Sequence, residues 1–150
     1  MFTLVPSDFF DPAAADRTLA DVTGCAEAKA RHIEIPQYNA VLIYSDDEDC
    51  VDSYPEIYHI LNGLDSCPEY NKILCSLRDG ILNLAIAQGR TLLLCNWYPA
   101  KDFTTAEYYI FFAMKSLQLN PEVSTICWRS PIGPEEEMSL YRYFKGVERV

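Results

Sequence analysis

Six cysteines, at positions 25, 50, 67, 75, 95 and 127, and two histidines, His32 and His59, carry the strongest intrinsic reactivity in the chain. Thiolates and imidazoles can ligate zinc or form a nucleophile–base pair. The spacing supports neither chemistry. No CxxC pair occurs, and neither histidine lies near a cysteine pattern. Cys75, Cys95 and Cys127 fall inside apolar, β-patterned segments, where a reduced thiol behaves as a small apolar residue. Buried reduced thiols are therefore the expectation. The acidic stretch Ser45 to Asp52 could attract a cation, but it lacks the Asp-x-Asp-x-Asp-Gly spacing of a calcium loop and reads as a solvated connection. No Ser-His-Asp or Cys-His arrangement can be built on two distant histidines, and GxSxG and Walker motifs are absent.

The elements that would position any site are clearest from Asn71 to Arg149. Asn71 to Leu77 and Ile81 to Ala87 flank Arg78-Asp79-Gly80. An Asp-Gly pair between alternating apolar runs signals a two-residue hairpin, because a type I′ turn needs positive φ at both central residues. With Asp79 and Gly80 central, Leu77 opposes Leu82, Cys75 opposes Leu84 and Ile73 opposes Ile86, all on one face. A one-residue slip would scatter them. A second turn with Gln88-Gly89 central leads into Thr91 to Trp97 and places Leu93 opposite Leu84 and Cys95 opposite Leu82. The other face, with Leu74, Ile81, Ala85, Leu92 and Leu94, is also expected to be covered.

A helix follows, with Thr104 and Glu107 read as a capping box. Phe103, Ala106, Ile110, Ala113, Met114 and Leu117 recur at helical spacing. Tyr108, Tyr109, Phe111 and Phe112 make the helix apolar almost all round and predict deep burial, ending at Asn120-Pro121. Val123 to Trp128 reads as a short buried strand, and strand–helix–strand implies a right-handed parallel crossover. Gly133-Pro134 opens the last helix, with Glu135, Glu136 and Glu137 in its first turn and Met138, Leu140, Tyr141 and Phe144 as the inner stripe.

Upstream, Phe2 to Val5 reads as a strand, and Asp11-Pro12 caps a helix running from Ala13 to Val22 and closing at Gly24. Arg31 to Ile35 and Ala40 to Tyr44 read as two further strands. Tyr54 to Leu64 reads two ways: a helix from Pro55 to Gly63, or a strand over Ile57 to Ile60. Ser66 to Tyr70 is the expected boundary between residues 1–65 and 71–150.

The apolar share of 49% supports a packed core, and the net charge of −10 argues against nucleic acid and anionic membrane surfaces. No signal peptide and no apolar run long enough for a bilayer are visible, so the cytoplasm is the expected location.

Three antiparallel strands, a crossover helix, a parallel strand and a helix is the order of ribonuclease-H-like domains, two of which build an actin-like ATPase. FTLVPSDFF, LRDG with its meander, AKDFTTAEYYIFF, LQLNPEVSTI and EEEMSLYRYF resemble an uncharacterised bacterial family, a domain of unknown function, with this actin-like fold. The resemblance implies an α/β architecture: a smaller α+β segment over 1–65, matching the end of a first half, and a ribonuclease-H-like second half over 71–150. It also implies that a nucleotide cleft between two full halves is incomplete, and that Val123 to Trp128 lacks a covering strand on one side. Such an edge invites a protein partner or a homo-oligomer, unless the N-terminal strands cover it.

By the same resemblance, the Leu77–Ile81 hairpin stands where an actin-like ATPase wraps phosphate and holds a metal-bound water through an acid. Asp79 and Gly80 match; the following hydroxyl and second glycine do not. A ribonuclease-H nuclease would need converging carboxylates on strands that carry none. The reading is a non-catalytic actin-like scaffold or protein-binding module with no cofactor; the alternative is an ATPase using Asp79 and Gly80 with ATP and Mg²⁺. Ten Tyr and seven Phe suit an interaction surface, with Tyr38, Tyr54, Tyr58, Tyr98, Tyr141 and Tyr143 outside obvious core positions.

Overall fold

The computed structural model describes residues 1–24, 29–45, 50–51 and 54–150. Cys25 and positions 46–49 and 52 of the acidic stretch lie outside the described residues. The elements gather into two units, Met1–His59 and Ile60–Val150.

In the first unit, β1 (Phe2–Pro6), α1 (Ala15–Thr23), β2 (Ala30–Ile35) and β3 (Ala40–Ser45) follow the sequence reading closely. The sheet order is β1-β3-β2, antiparallel throughout. Asp11 accepts the Ala13 amide at 3.0 Å and caps a 3-10 turn over Pro12–Ala14, which feeds α1. Leu19 of α1 packs on Ile43 of β3. A short ribbon, β4 (Cys50–Val51) with β5 (Tyr54–Pro55), precedes α2 (Glu56–Gly63). The helical reading of the ambiguous segment is therefore the one the chain adopts.

The second unit is built on a five-stranded sheet. β6 (Asn71–Arg78), β7 (Ile81–Gln88) and β8 (Thr91–Pro99) form the meander, and β9 (Thr125–Trp128) and β10 (Gly146–Arg149) complete the order β10-β9-β6-β7-β8. Asp79 and Gly80 adopt φ of 51° and 75°, as a type I′ turn requires. Leu77 faces Leu82, Cys75 faces Leu84 and Ile73 faces Ile86, the expected register. β9 runs parallel to β6, with Ile126 beside Ile73 and Trp128 beside Cys75, so the crossover is present. Over one face lie α3 (Phe103–Ser116) and α4 (Pro134–Tyr141), burying Ile110, Met114, Trp128 and Leu140 against the strands.

Five expectations need correction. The second turn is centred on Gly89 and Arg90, with Gln88 paired to Thr91. Gly89, at φ 57°, takes the position that positive φ favours, and an added Cβ there would meet the Tyr70 ring at 3.1 Å. A bulge between Ile86 and Ala87 then absorbs one residue, so Leu84 faces Asn96 and Leu82 faces Tyr98 rather than Leu93 and Cys95.

The cap of α3 is Asp102, not Thr104: its Oδ1 accepts the Thr105 amide at 2.8 Å. The helix stops at Ser116, short of Asn120, and is not buried all round. Tyr108 is 64% exposed and Phe112 57%. In α4 the inward residue is Leu140, followed by Phe144, whereas Met138 and Tyr141 point out.

Last, β9 has no open edge. β10 pairs with it in parallel, Val147 beside Ile126 and Arg149 beside Trp128. Its sequence, Gly-Val-Glu-Arg, is too short and charged to read as a strand; the register of β9 recruits it. The dimerisation argument from an exposed edge falls with that pairing.

Ser130, just past β9, holds the sheet to its neighbouring loop. Its buried Oγ accepts the Leu77 amide at 2.9 Å and the Trp128 indole N–H at 2.7 Å. Ser130→Ala leaves two donors without an acceptor and should lower unfolding stability by about 2–4 kcal/mol, read by denaturant unfolding. An unchanged midpoint would show that the clamp contributes nothing.

Candidate functional site

The chain runs the same way along β10, β9, β6 and β8. The connections leaving their carboxyl ends therefore share one rim of the sheet: the Asp79-Gly80 turn, the Ala100–Asp102 link into α3 and the Arg129–Gly133 link into α4. In open α/β sheets this is the rim at which ligands gather.

Cys75, Trp128 and Arg149 stand side by side, so the tip of the β6–β7 hairpin projects beyond the ends of β9 and β10. Both flanks of the projecting stem are tied down. On one side the Leu77 amide donates to Ser130 Oγ at 2.9 Å and the Arg129 amide to the Cys75 carbonyl at 2.9 Å. On the other the Ala100 amide donates to the Gly80 carbonyl at 2.8 Å. Asp79 and Gly80 themselves are exposed, and a Cβ added at Gly80 would meet nothing within 4 Å.

The turn thus presents a carboxylate and exposed backbone on an anchored stem. It supplies no hydroxyl, because Ile81 follows, and no second glycine to let amides wrap an anion. Among the described residues, no group of three or more His, Cys, Asp or Glu side chains is placed to hold a metal ion.

Other rim groups are engaged within the fold. Asp102 caps α3, and the hydrogen bond from Thr105 holds its carboxyl below the ordinary value of 3.8. Glu136 Oε2 accepts the Gly133 amide at 2.9 Å. Glu137 pairs with Arg149. Glu107, read as the second half of a capping box, instead has one buried carboxylate oxygen without a partner.

A second candidate surface lies on α3. Tyr108 and Phe112 stand one turn apart with ring centroids 6.3 Å apart, and Tyr109 stacks on Tyr98 at 4.7 Å. The sequence reading pointed to other tyrosines. Of those, Tyr54 and Tyr58 stack on each other at 4.3 Å, Tyr143 packs edge-on to Phe111 at 4.8 Å, and Tyr141 is 51% exposed. Tyr108 and Phe112 were missed because periodicity alone counted them as core.

The match extends over residues 1–147. The chain belongs to the family described as "Protein of unknown function (DUF3822)". A solved structure from Bacteroides thetaiotaomicron VPI-5482, described as a protein with actin-like ATPase fold and unknown function, superposes with a TM-score of 0.79 at 16% identity. It covers 99% of this chain, and the chain spans 64% of that protein's length. No curated protein matches. At this identity the likeness establishes the fold, and it is the actin-like fold that the motifs implied. No helix among the described residues is long and apolar enough to cross a membrane.

The Asp102 cap has a defined pH dependence. Its folded-state pKa lies below the unfolded value, so the cap contributes stability above about pH 4 and loses it as pH falls through the lower folded pKa. Asp102→Ala should therefore melt below wild type at pH 7, with the gap narrowing steadily under pH 4. A gap independent of pH would remove the charged cap from the account.

Proposed function

We propose that the chain is a non-catalytic actin-like scaffold or protein-binding module, working in the cytoplasm without nucleic acid and without a bound cofactor. The observation that carries this reading is the Asp79-Gly80 turn: a well-anchored hairpin at the ligand-gathering rim that offers neither a hydroxyl nor a second glycine to a phosphate. The two exposed aromatic rings on α3 support the binding role, since exposed Tyr and Phe are enriched where partners dock. Residues 1–65 then correspond to the end of a first actin-like half and 71–150 to the second.

A thermal-shift titration with Mg-ATP separates this reading from the ATPase alternative. A ligand bound only by the folded state raises the melting temperature when it is far above its dissociation constant. No shift is expected. A saturable rise that disappears in Asp79→Asn would replace the scaffold by a nucleotide-binding protein.

The binding face is tested by sedimentation velocity. The wild type should associate with itself in a concentration-dependent way, more strongly as salt screens the net charge of −10. Tyr108→Ser combined with Phe112→Ser should weaken that association while changing unfolding stability by no more than about 0.5 kcal/mol. A wild type that stays monomeric at every concentration removes self-association.

A further inference from the structure

The five-stranded sheet has two edges, and they differ in kind. β10 is short and carries Glu148 and Arg149, charges that discourage a further strand. β8 spans nine residues, Thr91–Pro99, with no charged side chain anywhere along it. β7 pairs with it on one side, and among the described residues no strand lies on the other. Leu92, Leu93, Leu94, Cys95, Trp97 and Tyr98 are all half-buried, and none is fully buried. In the first unit the edge strand β2 is also broken by charge, at Arg31 and Glu34. A long uncharged edge is the surface on which further strands add.

Cys95 and Trp97 are the residues whose backbone groups face the open side. The Ala100 amide donates to the Gly80 carbonyl at 2.8 Å, and antiparallel hydrogen-bonded pairs recur at every second residue. Tyr98 and Asn96 therefore turn their amides and carbonyls to Leu82 and Leu84 of β7, and Cys95 and Trp97 turn theirs away. The Trp97 amide agrees with this phase. It donates to Asn96 Oδ1, on the side chain of its exposed neighbour, at 2.9 Å. A local side chain thus stands in where the carbonyl of an added strand would accept. The bulge at Ile86/Ala87 disturbs only the start of β8, and Leu94 to Tyr98 keeps a regular register.

Aromatic rings carry this edge onto α3. Tyr98 of β8 stacks on Tyr109, Tyr109 meets Tyr108 edge-on at 5.5 Å, and Phe112 lies one turn further along. The exposed Tyr108 and Phe112 rings therefore adjoin the open strand on the helix-bearing face of the sheet.

We propose that β8 pairs antiparallel with β8 of a second copy of this chain, about a two-fold axis at Asn96. This rests on the self-association of the α3 face and names the seam along which it occurs. With Asn96 opposite its counterpart, Cys95 lies opposite Trp97 of the second copy, and the amides and carbonyls of both residues are all used. Neighbouring registers do worse. Centring on Trp97 sets Cys95 opposite Pro99, which has no N–H to give. Centring on Cys95 sets Trp97 opposite Leu93, the residue left unpaired by the bulge. The axis stands perpendicular to the joined sheet, so both α3 helices lie on the same side and their Tyr108 and Phe112 rings flank the seam. A second copy suits this edge better than an unrelated strand, because one self-matching contact covers two uncharged edges and two sets of exposed rings.

Cross-linking and hydrogen exchange on the full chain test the seam. Opposed Cα atoms in an antiparallel pair without hydrogen bonds lie about 4.5 Å apart, within disulfide reach. Under diamide, Asn96→Cys should give a dimer linked through position 96, located by peptide mapping. Thr91→Cys, equally exposed at the other end of the strand, should give no link at position 91. In the wild type, exchange of the amides over 94–98 should slow about tenfold as rising concentration drives association. Slowed exchange without the link at position 96 would overturn the two-fold register. Association with unchanged exchange over 94–98 would overturn the β8 seam and leave the α3 face as the interface. A wild type that is monomeric at every concentration would overturn the seam and self-association together, and the scaffold reading would then stand or fall on the Mg-ATP titration.

Discussion

The side-chain parity of β6 is the constraint on which the second unit depends. This strand sits at the centre of the sheet, antiparallel to β7 on one side and parallel to β9 on the other. Ile73 and Cys75 enter the core under α3 and α4, whereas Lys72, Leu74 and Ser76 face the other way. The type I′ turn at Asp79-Gly80 pins that parity locally, because no other two-residue alignment satisfies both positive φ values and the apolar pairs. A slip of one residue would bring the half-buried Lys72 into the main core, at a desolvation cost on the order of 2 kcal/mol or more. The rim and the seat of Trp128 both follow from the same phase.

What was legible in the sequence follows from how local each determinant is. The first hairpin could be read because turn chemistry and cross-strand pattern lie within eighteen or so consecutive residues and agree. The parallel crossover was readable from element order. The β7–β8 register was not, because a bulge inserts a residue with no compositional mark and reverses which face Cys95 occupies. The cap of α3 was misplaced because Asp102 and Thr104 both suit an N-cap, and only the backbone angles of Asp102 choose between them. Strand β10 was invisible because its pairing partner, not its own composition, makes it a strand.

The same distinction separates the parts of the candidate site. Asp79 and Gly80 could be named from sequence, since one short turn holds both. Ser130 could not: its role depends on Leu77 and Trp128, donors on two different strands, and a lone serine after a tryptophan carries no signal beyond the need of a buried indole for an acceptor.

The rim also explains why an actin-like fold need not carry actin-like chemistry. A phosphate-binding site requires polar groups whose hydrogen-bonding capacity faces outward. Here Ser130, whose hydroxyl is bonded to the hairpin stem at Leu77, accepts from two protein donors. Asp102 is committed to the α3 amides, Glu136 to Gly133 and Glu137 to Arg149. Recruiting any of them for a ligand would first cost a cap, a clamp or an ion pair. These rim polar groups fix the rim's own loops. The turn at Asp79-Gly80 is anchored by the Leu77–Ser130 and Ala100–Gly80 hydrogen bonds while its surroundings do structural work.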